Sequence, residues 1–298
     1  MQTLTNQTNE LQTSLGLKNV VFGTDFSPAS VNALSYAAEL AARFHAALHA
    51  VNAADPANYS LPPETWHTAD EARELEMKKL RAHLQTSFPD VDSEVETWEG
   101  TVSQVLASAI DRDRADLVVL GTHGRTGLGK LLRGSSAEEI LRTAPCPVLT
   151  IGPQVSIAQK WQPNDILYAT DFSPASLSGA RYAIALAHEY KARLTLLHVV
   201  EGRKVDELVH ESDLIASSKR LLRNLVPDGA LHEEPRCEVK QGAPADTILE
   251  AARSVNAGLI VLGAHRSSGV PGAASHLPIA TVHKVIAHAP CPVLTVRH

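Results

Sequence analysis

Apolar positions fall in short runs along this chain, and longer stretches of helix-like pattern separate them. Runs at Asn19 to Phe22, Ala47 to Ala53, Asp92 to Thr97, Asp116 to Leu120 and Pro147 to Ile151 read as strands. Ser27-Pro28 opens a helix to about Phe44, with Ser27 as N-cap and Pro28 at the first helical position. Further helices are predicted over Glu64 to Ser87, Val102 to Arg112 and about Ser136 to Thr143. Strands alternating with helices predict a parallel sheet with helices on both faces. The nearly all-apolar Leu117-Val118-Val119-Leu120 and Leu259-Ile260-Val261-Leu262 fit strands buried on both sides.

The pattern runs through the chain twice. The heptapeptide from Thr24 to Ser30 recurs unchanged from Thr170 to Ser176, and that from Ala144 to Thr150 recurs from Ala289 to Thr295. Between them, Val119 to His123 resembles Val261 to His265. Two identical segments at matched spacing mark a duplicated domain. The expected organisation is a polar tail over 1–16, one domain over 17–152, a linker over 153–162 and a second domain over 163–298. If the fifth strands lie at sheet edges, they must be covered. The chain is therefore expected to form a pseudo-twofold pair of domains joined through their last strands.

Composition narrows the function classes. A net charge of −6 without any Lys/Arg run gives no footprint for nucleic acid or an anionic membrane. Cys146, Cys237 and Cys291 make no disulfide framework, and Cys146 and Cys291, each in Pro-Cys-Pro, read as small buried hydrophobes. No signal peptide or membrane span is evident, so a cytoplasmic protein is expected. His276, His283, His288 and His298 read as surface residues. Glu71, Glu74, Glu76, Lys78 and Lys79 read as a solvated helix face, and Trp66 and Trp98 as packing. His123 and His265 lack neighbouring ligands, so no metal site is expected.

The candidate chemistry follows the fourth strand. Gly121-Thr122-His123-Gly124 is followed, nine residues later, by Gly134-Ser135-Ser136. The glycines let backbone approach an anion without a Cβ clash. Ser135 with Glu138, and Ser136 with Glu139, make capping-box patterns at a helix start, where free amides favour phosphate. Arg125, Lys130 and Arg133 stand between, ready to offset phosphate charge. Gly124 to Lys130 imitates a P-loop, but Leu131 follows in place of the Ser/Thr that would bind Mg²⁺. Gly23-Thr24-Asp25 ends the first strand and faces the same end of the sheet, where such folds bind ligands. Asp25 also reads as a turn or cap residue beside Ser27.

The G-x-x-G, nine residues, G-S spacing, with Thr-Asp-Phe-Ser-Pro at the first strand end, resembles the universal stress protein family. The resemblance covers nearly all of residues 17–152 and, less completely, 163–298. It implies an α/β fold of two tandem five-stranded parallel-sheet sandwich domains, Rossmann-like and of the adenine nucleotide alpha hydrolase-like type. It also implies ATP as ligand, with or without Mg²⁺, and a homodimer in many members. By position, Asp25 would meet the adenine-ribose part, and Gly23 and Thr24 would flank the base. Ala53 stands where the family usually has a Val whose backbone touches adenine. Gly121, His123, Gly124 and Arg125 would lie by ribose and phosphates, and Gly134, Ser135 and Ser136 would donate to the phosphates.

The second copy departs from this pattern. Gly263 is kept, but Arg266 replaces the second Gly, and Ile279 and Ala280 stand in place of Gly134 and Ser135. Asp171, Val199 and Gly263 remain as a degenerate second site with no or weak ATP binding. A regulatory protein with one ATP per chain, a slow ATP hydrolase and a ligand-free interaction scaffold are the competing readings. No general base, Mg²⁺ hydroxyl or nucleophile constellation is evident, so no enzyme is expected. A bulky side chain at Gly121 or Gly134 is expected to abolish binding with little loss of fold.

Overall fold

A computed structural model describes residues 15–55, 66–122, 136–156, 160–201, 211–264 and 279–297. The chain divides into two compact units, Gly16–Pro153 with Ile157–Trp161, and Gln162–His298 with two short stretches outside it. In the first, β1 (Asn19–Thr24), α1 (Pro28–Phe44), β2 (Ala47–Ala54), α2 (Trp66–Ser87) and β3 (Ser93–Glu99) are followed by α3 (Val102–Asp113), β4 (Leu117–Gly121), α4 (Ser136–Thr143) and β5 (Val148–Ile151). Its strand order is β3-β2-β1-β4-β5, and every pairing is parallel. In the second, β6 (Asp165–Thr170), α5 (Pro174–Tyr190), β7 (Arg193–Val200), α6 (Glu211–Asn224) and β8 (Arg236–Gln241) precede α7 (Pro244–Ser254), β9 (Leu259–Ala264), α8 (Ile279–His288) and β10 (Val293–Arg297). The order is again parallel, β8-β7-β6-β9-β10. The α/β reading thus holds for both repeats.

The core follows the composition. Val20, Val21, Phe22, Leu48, Val118 and Val119 are fully buried in the first sheet, and Leu167, Tyr168, Leu196, Ile260 and Leu262 in the second. β1 and β3 extend past the predicted ends, to Thr24 and Glu99. Thr24 pairs with Asn52 and Glu99 with Ala54, so the ladder continues where side chains turn polar. Helix α1 starts as predicted and α5 starts in the same way: Ser27 and Ser173 accept from the amides of Ser30 and Ser176, with Pro next in line. The linker residue Trp161 lies edge-on to Tyr36 of α1, ring centroids 5.5 Å apart.

Substitutions between the repeats come in matched sets. In the first unit Asp116 accepts from the amides of Lys18 (2.7 Å) and Asn19 (3.0 Å). Its counterpart is Gly258, where a Cβ would stand 2.8 Å from Pro163 Cα. The fully buried Phe22 of the central strand in the first unit has Tyr168, also fully buried, at the matching position in the second. Tyr168 donates its hydroxyl to Ser176 O at 2.7 Å. The ring then sits so close to α5 that a Cβ at Gly179 would be 3.2 Å from Tyr168 Cε2.

Burial pushes the Tyr168 phenol up to about 12. An acid held neutral in the fold contributes stability that is complete below its unfolded pKa of about 10 and is lost as pH rises toward the folded value. We expect the stability of the second unit to fall between pH 10 and 12 in the wild-type chain. Tyr168→Phe should flatten that fall while costing about 1 kcal/mol at neutral pH. Urea titrations across that range read both effects, and an unchanged slope in Tyr168→Phe would count against the assignment.

The remaining surface readings divide. Lys78 pairs with Glu74 at 3.0 Å and Lys79 with Glu76 at 2.7 Å, which bears out a solvated charged face on α2. Trp98 packs under Arg112, whose guanidinium carbon is 4.4 Å from the ring centroid. Hydrogen bonds and charge from Asp113 and Glu96 hold that guanidinium yet more firmly protonated. Trp66 opens α2. Cys291 is buried, as expected, but Cys146 is only half-buried. Burial still pushes both thiols up to about 12, against reactivity at neutral pH. His288 is exposed, whereas His283 is half-buried on α8, because that helix covers the sheet with part of this face. His276 and His298 lie outside the described residues. No helix among the described residues is long and apolar enough to cross a membrane.

Candidate functional site

The carboxyl end of β1 is built by a chain of short-range bonds. Thr24 Oγ1 accepts from the Phe26 amide (3.1 Å), Asp25 Oδ1 from the Ser27 amide (3.0 Å), and Ser27 Oγ from the Ser30 amide (3.2 Å). These three bonds fold Phe26 into the left-handed region at φ 59°. A bulky residue there costs on the order of 1–2 kcal/mol, which the surrounding bonds must offset. The turn presents Asp25 half-buried at the strand end, between the sheet and the start of α1. Thr24 itself is buried, with its hydroxyl 3.1 Å from Ser30 Oγ.

The second unit repeats this construction bond for bond. Phe172 donates to Thr170 Oγ1 (3.0 Å), Ser173 to Asp171 Oδ1 (2.9 Å), and Ser176 to Ser173 Oγ (3.2 Å), with Phe172 at φ 61°. The turn-residue reading of Asp25 is thus seen in its bond to Ser27, and the residue stands at the carboxyl end of β1.

Two residues that the sequence reading passed over join these turns. Asn52, on β2, donates Nδ2–H to Thr24 O at 2.8 Å. Its Oδ1 is buried with no hydrogen-bond partner among the described residues. The counterpart on β7 is His198, whose Nδ1 lies 2.8 Å from Thr170 O. Its ring packs on Phe172 with centroids 4.5 Å apart. The signal available was the repeat itself, which aligns Asn52 with His198, one residue before Ala53 and Val199.

The predicted site residues separate on inspection. Ala53 and Val199 are half-buried near the ends of β2 and β7. Gly23 has a core role, since a Cβ there would lie 2.7 Å from Leu120 Cδ2 and 3.0 Å from Leu106 Cδ2. Gly121 needs correction. A Cβ on it would stand 2.8 Å from Ala29 O and 3.0 Å from Ala29 C, in the backbone of α1. Its lack of a side chain lets helix and strand approach, so substitution there strikes the fold as well as any ligand. Gly263 ends the buried run of β9. Ser136 is the first residue of α4, and Glu139 in its first turn accepts a hydrogen bond from Ser103. His123, Gly124, Arg125, Lys130, Arg133, Gly134 and Ser135 lie outside the described residues, as do His265 and Arg266. In the second unit α8 begins with Ile279 and Ala280, which match Gly134 and Ser135 in sequence. Among the described residues no group of three or more His, Cys, Asp or Glu is gathered to hold a metal.

A five-stranded parallel unit, present twice and closed at its first strand by a Thr-Asp-Phe-Ser turn, is a doubly wound α/β architecture with its candidate site at the strand carboxyl ends. The chain belongs to the universal stress protein family, whose model matches residues 16–152 and again 163–297. A universal stress protein of Mycobacterium tuberculosis is 27% identical over 93% of this chain and 96% of its own length. One from Methanocaldococcus jannaschii is 32% identical over 145 residues, 45% of this chain and 81% of that protein. The crystal structure of a universal stress protein from Archaeoglobus fulgidus matches 94% of this chain and 98% of its own, at 20% identity and a TM-score of 0.69, a likeness of fold.

Proposed function

We propose that this chain is an adenine-nucleotide-binding regulatory protein of the stress response, cytoplasmic, holding one ATP in its first unit. The observation that carries this reading is Asn52 at the end of β2, whose buried Oδ1 has no hydrogen-bond partner among the described residues, beside Asp25 half-buried at the carboxyl end of β1. The described residues suit the base-and-sugar end of such a ligand. They offer a carboxylate, the small Ala53 side chain, and Asn52 with a buried acceptor that has no partner among the described residues. For the phosphate end the support is the sequence: Gly121, Gly124, Gly134, Ser135 and Ser136 keep a glycine-rich approach to a helix start. In this reading the bound and empty chains differ in the surface offered to partners.

The second unit has the same turn, so the turn alone does not select a nucleotide. Selection rests on the loop, and the second repeat has Ile279 and Ala280 where the first has Gly134 and Ser135. We take the protein as a binder without rapid turnover, since the loop has neither the Ser/Thr hydroxyl that would bind Mg²⁺ nor a nucleophile constellation. Native mass spectrometry of freshly purified chain should find one adenine nucleotide per chain. Asp25→Ala should weaken ATP about tenfold or more. Two nucleotides per chain, or an affinity untouched by Asp25→Ala, would sink the assignment, and fast Asp25-dependent hydrolysis would make the protein an enzyme.

A further inference from the structure

Helix α6 carries apolar side chains on a face that its own sheet does not cover. Ser218 and Leu222 are buried, whereas Leu214 and Leu221 are each 51% exposed. The two leucines stand one heptad apart, about 10 Å along one face of the helix, with the exposed Ser217 between them. The first repeat supplies the comparison. Pro89-Asp90 after α2 matches Pro227-Asp228 after α6, and the buried Leu80 and Leu84 then match Ser218 and Leu222. In that alignment Glu76, Lys79 and His83 stand where α6 has Leu214, Ser217 and Leu221. Lys79 and Glu76 pair at 2.7 Å, as befits a face in water. Leu75 of α2 is exposed too, but Thr68 and Ala82 stand a heptad to either side of it. The fold accepts a charged surface on this helix, so it does not require the leucines of α6.

Charge flanks the stripe with opposite sign at its two ends. Asp213 precedes Leu214 and Arg220 precedes Leu221, both exposed and on the same flank. Neither has an ion-pair partner among the described residues. A two-fold axis at Ser217 sets a second α6 antiparallel to the first. It lays Leu214 of each copy against Leu221 of the partner subunit, and brings Asp213 within reach of Arg220 of the partner subunit. Parallel helices would instead set like charges side by side. The small Ser217 at the centre lets the helices approach to about 8–10 Å. We infer that α6 is an interaction surface for a second copy of this chain, the two helices meeting antiparallel about Ser217. Helix α6 links β7 and β8, at the opposite end of the strand order from β10, so this contact differs from a pairing through last strands. One helix pair buries little area, so the dimer is weak and follows concentration. It requires no nucleotide in either unit.

Sedimentation equilibrium of the full chain, from about 1 to about 200 µM, should show monomer passing into dimer. Leu221→Glu should raise the dissociation constant at least about tenfold, with an unchanged melting temperature. Asp213→Arg and Arg220→Asp should each weaken the dimer, and the doubly reversed chain should regain it, a rescue that loss of fold does not produce. Ser217→Cys should cross-link chain to chain under mild oxidation above the wild-type level, while Lys79→Cys, at the matching place on α2, should not. A chain that stays monomeric at about 200 µM overturns the inference and leaves the face to another protein or to water. A dimer that ignores Leu221→Glu, or two charge reversals whose effects add instead of cancelling, overturns it as well.

Discussion

Phe22→Ala should lower the stability of the first unit by about 4 kcal/mol. Phe22 is fully buried in the central strand of its sheet, between neighbours that are themselves closed to solvent. Truncation removes most of a ring from a close-packed layer, and the strand, paired on both sides, cannot collapse to refill the space. The second unit supplies the calibration: Tyr168 holds the matching position, and Tyr168→Phe there keeps the ring and gives up one hydrogen bond. Urea unfolding followed by hydrogen exchange of peptides from β1 and β2 should reveal the loss. A change under about 0.5 kcal/mol, the range of an ordinary surface substitution, would mean that this layer is not the core of the unit.

Gly121→Val is expected to cost about 3 kcal/mol in the same unit. The obstacle is main chain: the first side-chain carbon would lie 2.8 Å from Ala29 O. Flexible side chains can move aside, but Ala29 belongs to the first turn of α1, held by Pro28 and the Ser27 cap. To admit a valine, α1 must lift from β4, or the strand must bend. The prediction departs from the expectation that a bulky residue here blocks a ligand and spares the fold. A Gly121→Val chain with wild-type unfolding in urea would restore that expectation.

The two glycines of the first strand pair illustrate what the sequence could and could not reveal. Period, punctuation and duplication made the strands, the helix starts and the repeat legible, because burial on a sheet leaves its mark on neighbouring residues. Gly23 and Gly121 were equally visible, but what each one makes room for was not. Gly23 faces Leu106 and Leu120, and Gly121 faces Ala29, partners that only the folded chain brings together. The same holds for Asn52 and His198, whose bonds span 28 positions. Strand ends ran beyond their apolar runs because ladder pairing persists where side chains become polar, as at Thr24 and Glu99.

Phe26 and Phe172 hold the same left-handed turn through the same three bonds, in one repeat with Gly124 and Gly134 and in another with Arg266 and Ile279 at the matching places. A conformation that survives decay of the neighbouring loop is not upheld by selection for phosphate. The degenerate half thus serves as an internal reference for the other, carried in the same molecule and sampled under the same conditions. Whatever the two turns do alike belongs to the architecture, and whatever only one of them does belongs to its ligand.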